Sequence, residues 1–143
     1  MKKMGNGWYV SSWYEPVYRQ NFWLVVGAND EQLVAWMKKE FGVITEVQEQ
    51  GWGCTIPLYR ARDGCNGCII SIPEWTPDAQ HFSTVAHEAV HATDFTINDT
   101  AGVVHGDTFE KNEAYAYYVG YLVNKILEEI SSKPEVAFGF KHK

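Results

Sequence analysis

The chain has 143 residues, of which 45% are hydrophobic and 15% aromatic, and its formal net charge is −6. This length and composition predict one folded domain over residues 1–143 and exclude a disordered chain. The acidic balance argues against a nucleic-acid partner, because phosphate binding depends on clustered Lys and Arg. No stretch approaches the roughly 20 apolar residues of a membrane helix, so no membrane partner is expected. The oligomeric state cannot be read from these totals.

The cellular location is predicted from the N-terminus and the cysteines. The segment Met1–Gly7 has two lysines but no apolar stretch behind them, unlike a signal peptide. Three cysteines, an odd number, suit a reducing compartment better than a disulfide framework. We therefore expect a cytosolic protein.

The first third of the chain predicts an arm, a strand and a helix. Residues 1–20 are rich in aromatics without a clear period and predict a loosely structured arm, with a short strand near residues 8–10. Residues 21–27 form a short apolar run closed by glycine, which indicates a buried strand. A helix follows, in which Asn29 and Gln32 have the spacing of a capping box.

The middle of the chain predicts a hairpin. Residues 51–59 and 67–73 read as strands separated by a turn at Asp63 and Gly64. Pro57 interrupts the first strand and indicates an edge or a bend, because proline cannot donate a hydrogen bond to a neighbouring strand.

The last part predicts two helices. The first opens at Thr76, followed by proline at the first helical position, and residues 98–106 form a loop. A capping box at Asp107 and Glu110 begins a long helix that runs to about residue 130, and residues 131–143 read as a tail. The fold class predicted from these elements is α+β, with a small antiparallel or mixed sheet packed on three helices.

The motif that carries chemistry is His87-Glu88-Ala89-Val90-His91, a His-Glu-x-x-His pattern. On a helix a step of four residues returns nearly to the same face, so both imidazoles can hold one metal ion. Glu88 lies beside them and can reach a water on that metal as a general base. The alternative is a chance match in which two histidines of a packed helix have structural roles.

A zinc hydrolase needs a third protein ligand, and Glu113 is the best candidate. The metzincin pattern is excluded because Asp94 and Ile97 stand where its glycine and third histidine belong. Glu113 lies early in the long helix, on a stripe with the small residues Ala116 and Gly120, which would allow a close approach to the His-bearing helix. The rival ligands are Asp94, His105, Asp107 and Glu110. For Asp94, a hydrogen bond to a ligating histidine is more plausible geometrically than direct ligation.

The motif together with the run Asn112–Leu122 resembles the gluzincin plan, in which a glutamate on the following helix is the third zinc ligand. Over roughly residues 50–130 the chain is similar to small zincin-like proteins encoded by phages and described as metallopeptidases. This resemblance implies a zincin-like domain in which His87, His91 and Glu113 hold one Zn²⁺ and Glu88 is the general base. The location implied is the host cytosol. Tyr117 departs from the plan, since an aspartate that orients the first histidine is expected there.

The resulting expectation is a zinc metallopeptidase acting on a peptide or protein substrate. Tyr117 and His105 are the candidates to stabilise the oxyanion that develops on the scissile carbonyl. The strand Gly67–Pro73 is a candidate edge for binding an extended peptide, and an ordinary buried strand is the alternative.

Two other functions remain open. A zincin-like fold could act as a protein-binding module, with a structural metal or none, and the aromatic-rich residues 8–23 could supply the contact surface. Alternatively, Cys65 and Cys68 form a Cys-x-x-Cys pair that Cys54 could join in a zinc or thiol site. A single pair is a weak signal, because a structural zinc site needs four ligands.

Overall fold

The protein is described by a computed structural model covering residues 1–5, 7–42, 49–60, 64–100 and 109–139. Within these ranges the fold is α+β, as predicted, with a mixed sheet of five strands and several helices. The strands are β1 (Lys2–Lys3), β2 (Tyr9–Glu15), β3 (Gln20–Val26), β4 (Cys54–Arg60) and β5 (Cys65–Ile72). The helices are α1 (Asp30–Phe41), α2 (Ala79–Asp94), α3 (Phe109–Ser131) and α4 (Pro134–Ala137), and a π-helical segment, Phe95–Thr100, follows α2.

The sheet has the strand order β1-β2-β3-β5-β4. Strands β3 and β5 are parallel, and the other neighbouring pairs are antiparallel. The predicted hairpin is confirmed as the β4–β5 pair, and Pro57 lies in the edge strand β4. Of the two interpretations of Gly67–Pro73, the ordinary buried strand is confirmed and the edge is wrong, because β5 pairs with β3 on one side and β4 on the other.

Helix α1 begins at the predicted capping box. The Asn29 side chain accepts a hydrogen bond from the backbone N–H of Gln32 at 2.8 Å, and the Gln32 side chain accepts one from the Asn29 N–H at 3.0 Å. Gly42 follows the helix with a φ of 68°, a left-handed conformation that glycine adopts without strain. The helix buries Leu33 and Trp36 against one face of the sheet.

The opposite face of the sheet packs on α2 and α3. Strand residues that alternate along β3 and β5 meet helix residues spaced by four, and together they form the larger core. Its members include Phe22, Leu24, Ile70 and Ile72 from the strands, and Val85, Ala89, Leu122, Ile126 and Ile130 from the helices. The sheet therefore lies between α1 on one side and α2 with α3 on the other.

Two terminal segments are more ordered than predicted. The expected loose arm contains β2, whose seven residues all pair with β3. Its side chains are buried in near alternation although the sequence has no obvious apolar period. The expected tail contains α4, in which Val136 is fully buried. The Tyr9 hydroxyl donates to Glu135 at 2.8 Å and joins the two ends of the chain.

The start of α2 also differs from the prediction. Asp78, not Thr76, is the N-cap, because the Asp78 carboxylate accepts from the backbone N–H of His81 at 3.0 Å. Beyond α2, the first residues of the predicted loop 98–106 belong to the π-helical segment. The capping residue Asp107 and the side chain of Glu110 lie outside the described residues.

Within the described ranges, none of the helices combines the length and the apolar character needed to cross a bilayer.

Candidate metal centre

The two motif histidines converge on the exposed face of α2. The Nε2 atoms of His87 and His91 are 3.1 Å apart, and the ring centroids are 4.8 Å apart. Two imidazole nitrogens that share a tetrahedral zinc ion are about 3.3 Å apart, since each Zn–N bond is about 2.0–2.1 Å. The two imidazole nitrogens at this separation therefore fit a zinc ion without a change in the backbone of α2.

Glu88 completes a cluster with the imidazoles. Potential ligand atoms of His87, Glu88 and His91 all lie within 4.8 Å of one another. Whereas both histidines are exposed, Glu88 is only 3% exposed. The carboxylate that the motif places beside the imidazoles is therefore withdrawn into the protein, on the side of α2 that faces the sheet.

The segment before and at the start of β4 holds Glu88 in place. The Thr55 hydroxyl is 3.0 Å from Oε1 of Glu88 and 3.2 Å from its backbone carbonyl oxygen. A Cβ on Gly53 would lie 3.0 Å from Cγ2 of Thr84 and 3.2 Å from Cγ of Glu88, so a larger residue would have to displace these side chains slightly. Sequence reasoning missed the contacts of Thr55 and Gly53 to Glu88, because the register of β4 against α2 has no local signal.

A cleft of about 230 Å³ opens beside the cluster, between α2 and the segment that precedes β4. Trp52, which is 56% exposed, forms one wall and contacts the His81 ring edge-on with centroids 5.6 Å apart. The other lining residues are Gly53, Gln80, Ser83, Thr84, His87 and Glu88. Apart from His87 and Glu88 the lining is uncharged, so the cleft offers room for a neutral group next to the candidate metal centre.

The predicted packing face of α3 is wrong. Ala116 and Gly120 are exposed, and Tyr117 is 74% exposed. Among the described residues, no heavy atom other than the helix's own backbone lies within 4 Å of a Cβ built on Gly120. The buried face of α3 consists of Tyr118, Leu122, Ile126 and Ile130, a spacing of four residues that the sequence does contain. The argument that small residues allow a close helix–helix approach therefore fails.

The third ligand stays a prediction. Glu113 is half-buried at the start of α3, and α3 packs against α2. Among the described residues, the cluster of candidate ligands consists of His87, Glu88 and His91, without Glu113. The carboxylate that the structure places beside the imidazoles is thus Glu88.

Three further residues predicted for the site are Asp94, Tyr117 and His105. Asp94 accepts a hydrogen bond from the Tyr115 hydroxyl at 2.8 Å, and its bond to a histidine stays a prediction. Burial, followed by this bond to Asp94, raises the pKa of Tyr115 to about 12. Tyr117 projects from the exposed face of α3, and His105 lies outside the described residues.

The described cysteines do not favour thiol chemistry. Cys68 is 1% exposed and belongs to the larger core. Burial, and secondarily the charge of Glu88, raises the pKa of Cys54 to about 12, so its thiol is a poor nucleophile at pH 7. The side chain of Cys65 lies outside the described residues.

Comparisons with known proteins give no relative: no family model, no curated protein and no solved structure matches the chain. The distances and burial of the site residues are therefore the basis for any statement about its chemistry.

Proposed function

We propose that the chain is a zinc-dependent peptidase with a zincin-like fold. The observation that carries this proposal is the convergence of two imidazole nitrogens, 3.1 Å apart, beside the buried carboxylate of Glu88 and an open cleft. Nitrogen donors at i and i+4 of one helix, with a carboxylate at i+1, form the constellation that zinc peptidases use.

In this proposal His87 and His91 hold the zinc ion through their Nε2 atoms, and Glu113 is the third ligand. Zinc in such a site acts as a Lewis acid that polarises a peptide carbonyl and lowers the pKa of water. Replacing Glu113 by Ala should weaken zinc binding by more than about 100-fold, since even residues that only orient ligands contribute 10- to 100-fold. The same change at Asp94, a residue that contacts Tyr115, should have a smaller effect.

Glu88 supplies the proton transfers of the hydrolysis. Its carboxylate accepts a proton from the attacking water as the water oxygen bonds to the scissile carbonyl carbon. The same proton then passes to the amide nitrogen as the carbon–nitrogen bond breaks, which releases an amine and a carboxylic acid and returns Glu88 to its ionised form. The acid then loses its remaining proton to the amine or to solvent. Tyr117 and His105 remain the proposed groups for stabilising the oxyanion.

The position of β4 supports an extended peptide as substrate. β4 is an edge of the sheet and contacts α2 through Thr55 and Glu88, so a peptide paired with its outer side would run beside the imidazoles. The cleft next to Trp52 would then receive one uncharged side chain of that peptide. This proposal assigns to β4 the role first expected of β5.

Digestion of a broad peptide library by zinc-loaded protein, followed by mass spectrometry, tests this function. The wild-type protein should cleave a subset of peptides, and Glu88→Gln should lower the rate by at least about 100-fold while zinc remains bound, because general-base catalysis contributes this much. Cleavage that persists in Glu88→Gln would contradict the base assignment. Bound zinc without any cleavage by the wild-type protein would instead favour a binding module.

A further inference from the structure

Thr55 is the residue outside the motif with the most direct contact to Glu88. Among the described residues, its hydroxyl is the hydrogen-bond donor to the Glu88 carboxylate, at 3.0 Å from Oε1. Thr55 pairs with Ile70 of β5, and Ile70 belongs to the core between the sheet and α2. Alternation along β4 therefore directs the Thr55 side chain to the face that carries α2.

Two independent contacts restrict the Glu88 side chain. Gly53 lies against its aliphatic stem, where an added Cβ would come within 3.2 Å of Cγ, and Thr55 holds one of its carboxylate oxygens. Both contacts come from the same short segment of the edge of the sheet. Since Glu88 is 3% exposed, water cannot readily replace the Thr55 hydroxyl as a donor.

We infer that Thr55 is a positioning residue for the general base: it fixes Oε1 of Glu88 so that the carboxylate stays directed toward the imidazole pair. This inference rests on the proposed peptidase function. A mispositioned catalytic group loses rate steeply, and a displacement of about 1 Å costs about 100-fold. The edge strand that would bind the peptide therefore also sets the geometry of the base that cleaves it.

The bond itself is tested by a double-mutant cycle in urea unfolding of the metal-free protein. The variants are Thr55→Val, Glu88→Leu and the double variant, and the cycle cancels the second contact of Thr55 to the backbone carbonyl of residue 88. We expect a coupling of about tenfold or more in the unfolding equilibrium constant, the range for a hydrogen bond to a charged group.

Thr93→Val is the matched control, because fully buried Thr93 donates to the Ala89 carbonyl on the same helix at 2.7 Å. It should show no coupling to Glu88→Leu.

The positioning role is tested by steady-state kinetics on a peptide that the library assay identifies. Thr55→Val should lower kcat by about 10- to 100-fold with unchanged KM and zinc content. Thr55→Ser, which keeps the hydroxyl, should restore kcat to within about threefold, and Thr93→Val should leave it unchanged.

Each outcome decides between the two proposals. Coupling below about twofold overturns the inference whether or not the protein hydrolyses peptides. Coupling without a loss of kcat in Thr55→Val also overturns it, because the bond is then only structural. If the wild-type protein cleaves no peptide, the peptidase proposal and the positioning role both fail, while the coupling still reports the bond.

Discussion

Two buried glutamates, Glu15 and Glu88, differ in how their carboxylates are hydrogen-bonded. Each is 3% exposed. Glu15 ends β2 and accepts hydrogen bonds from the Tyr118 hydroxyl at 2.8 Å and from the backbone N–H groups of Val17 and Tyr18. Glu88 has the Thr55 hydroxyl as its donor among the described residues and lies beside two exposed histidines and a cleft.

The difference lies in how fully the negative charge is satisfied. Glu15 has a donor for each carboxylate oxygen and closes the turn between β2 and β3 against α3, so its role is structural. Burial and the bond to Glu15 raise the pKa of Tyr118, which keeps its hydroxyl a donor. Among the described residues only Oε1 of Glu88 has a donor, so Oε2 keeps the acceptor capacity that the proposed general base needs. Burial alone therefore does not identify a candidate general base.

The sharpest stability contrast should come from truncating each glutamate. Glu15→Ala is expected to lower the free energy of unfolding by about 3 kcal/mol, because it leaves the Tyr118 hydroxyl and two backbone N–H groups without an acceptor. Glu88→Ala should cost about 1.5 kcal/mol, the value of one hydrogen bond to a charged group, because Thr55 retains the residue-88 carbonyl at 3.2 Å as an acceptor. Urea unfolding of both variants measures the difference, and equal losses would contradict the distinction.

A smaller effect is expected at the glycine that lies against Glu88. Gly53→Ala should lower the free energy of unfolding by about 1–3 kcal/mol, because the new Cβ meets Thr84, Glu88 and the Ser71 carbonyl at 3.0–3.2 Å.

The matched control is Gly120→Ala, on the exposed face of α3, where an added Cβ meets no described atom outside the helix backbone within 4 Å. That variant should stabilise the protein by about 0.5–1 kcal/mol, because alanine favours the helix over glycine. If both variants have the same sign, the packing of Gly53 against Glu88 is not as tight as the structure indicates.

The smallest effect concerns Asp78, a third carboxylate, which is exposed at the N-terminus of α2. Hydrogen bonds from Thr76 and from His81 lower the pKa of Asp78 from 3.8 to about 2. Because the folded-state pKa lies below the unfolded value, this contribution to stability is present above about pH 4 and is lost as the pH falls toward 2. Melting temperatures at pH 5 and pH 2.5 should show a smaller drop for Asp78→Asn, which keeps the cap without titrating, than for the wild-type protein. An identical drop would show that Asp78 does not contribute.

The sequence predicted the features that depend on the spacing of residues within one helix. The capping box of α1 and the convergence of His87 and His91 both follow from helical periodicity within a few residues. The predicted buried face of α3 is wrong because small residues do not mark it. The four-residue spacing of Tyr118 and Leu122 marks the buried face. The interior position of β5 had a signal too, since its continuous apolar run is typical of a strand buried on both faces.

The contacts to Glu88 could not be predicted in this way. Thr55 is 33 residues from Glu88 in sequence, and their hydrogen bond depends on how the edge strand packs against α2. Such a contact follows from tertiary packing, in which the absence of a Cβ at Gly53 is as important as the presence of the Thr55 hydroxyl. Glu113 illustrates the same limit, because its role depends on where the start of α3 packs.

The most direct test of the central claim is the zinc content of untagged protein after equilibrium dialysis, measured by mass spectrometry of the metal. One zinc ion per chain is expected for the wild-type protein and for His142→Ala, a control for the loss of one histidine. Zinc should be absent from His87→Ala and from His91→Ala. A wild-type protein without bound zinc, or full zinc content in both motif variants, would contradict the account.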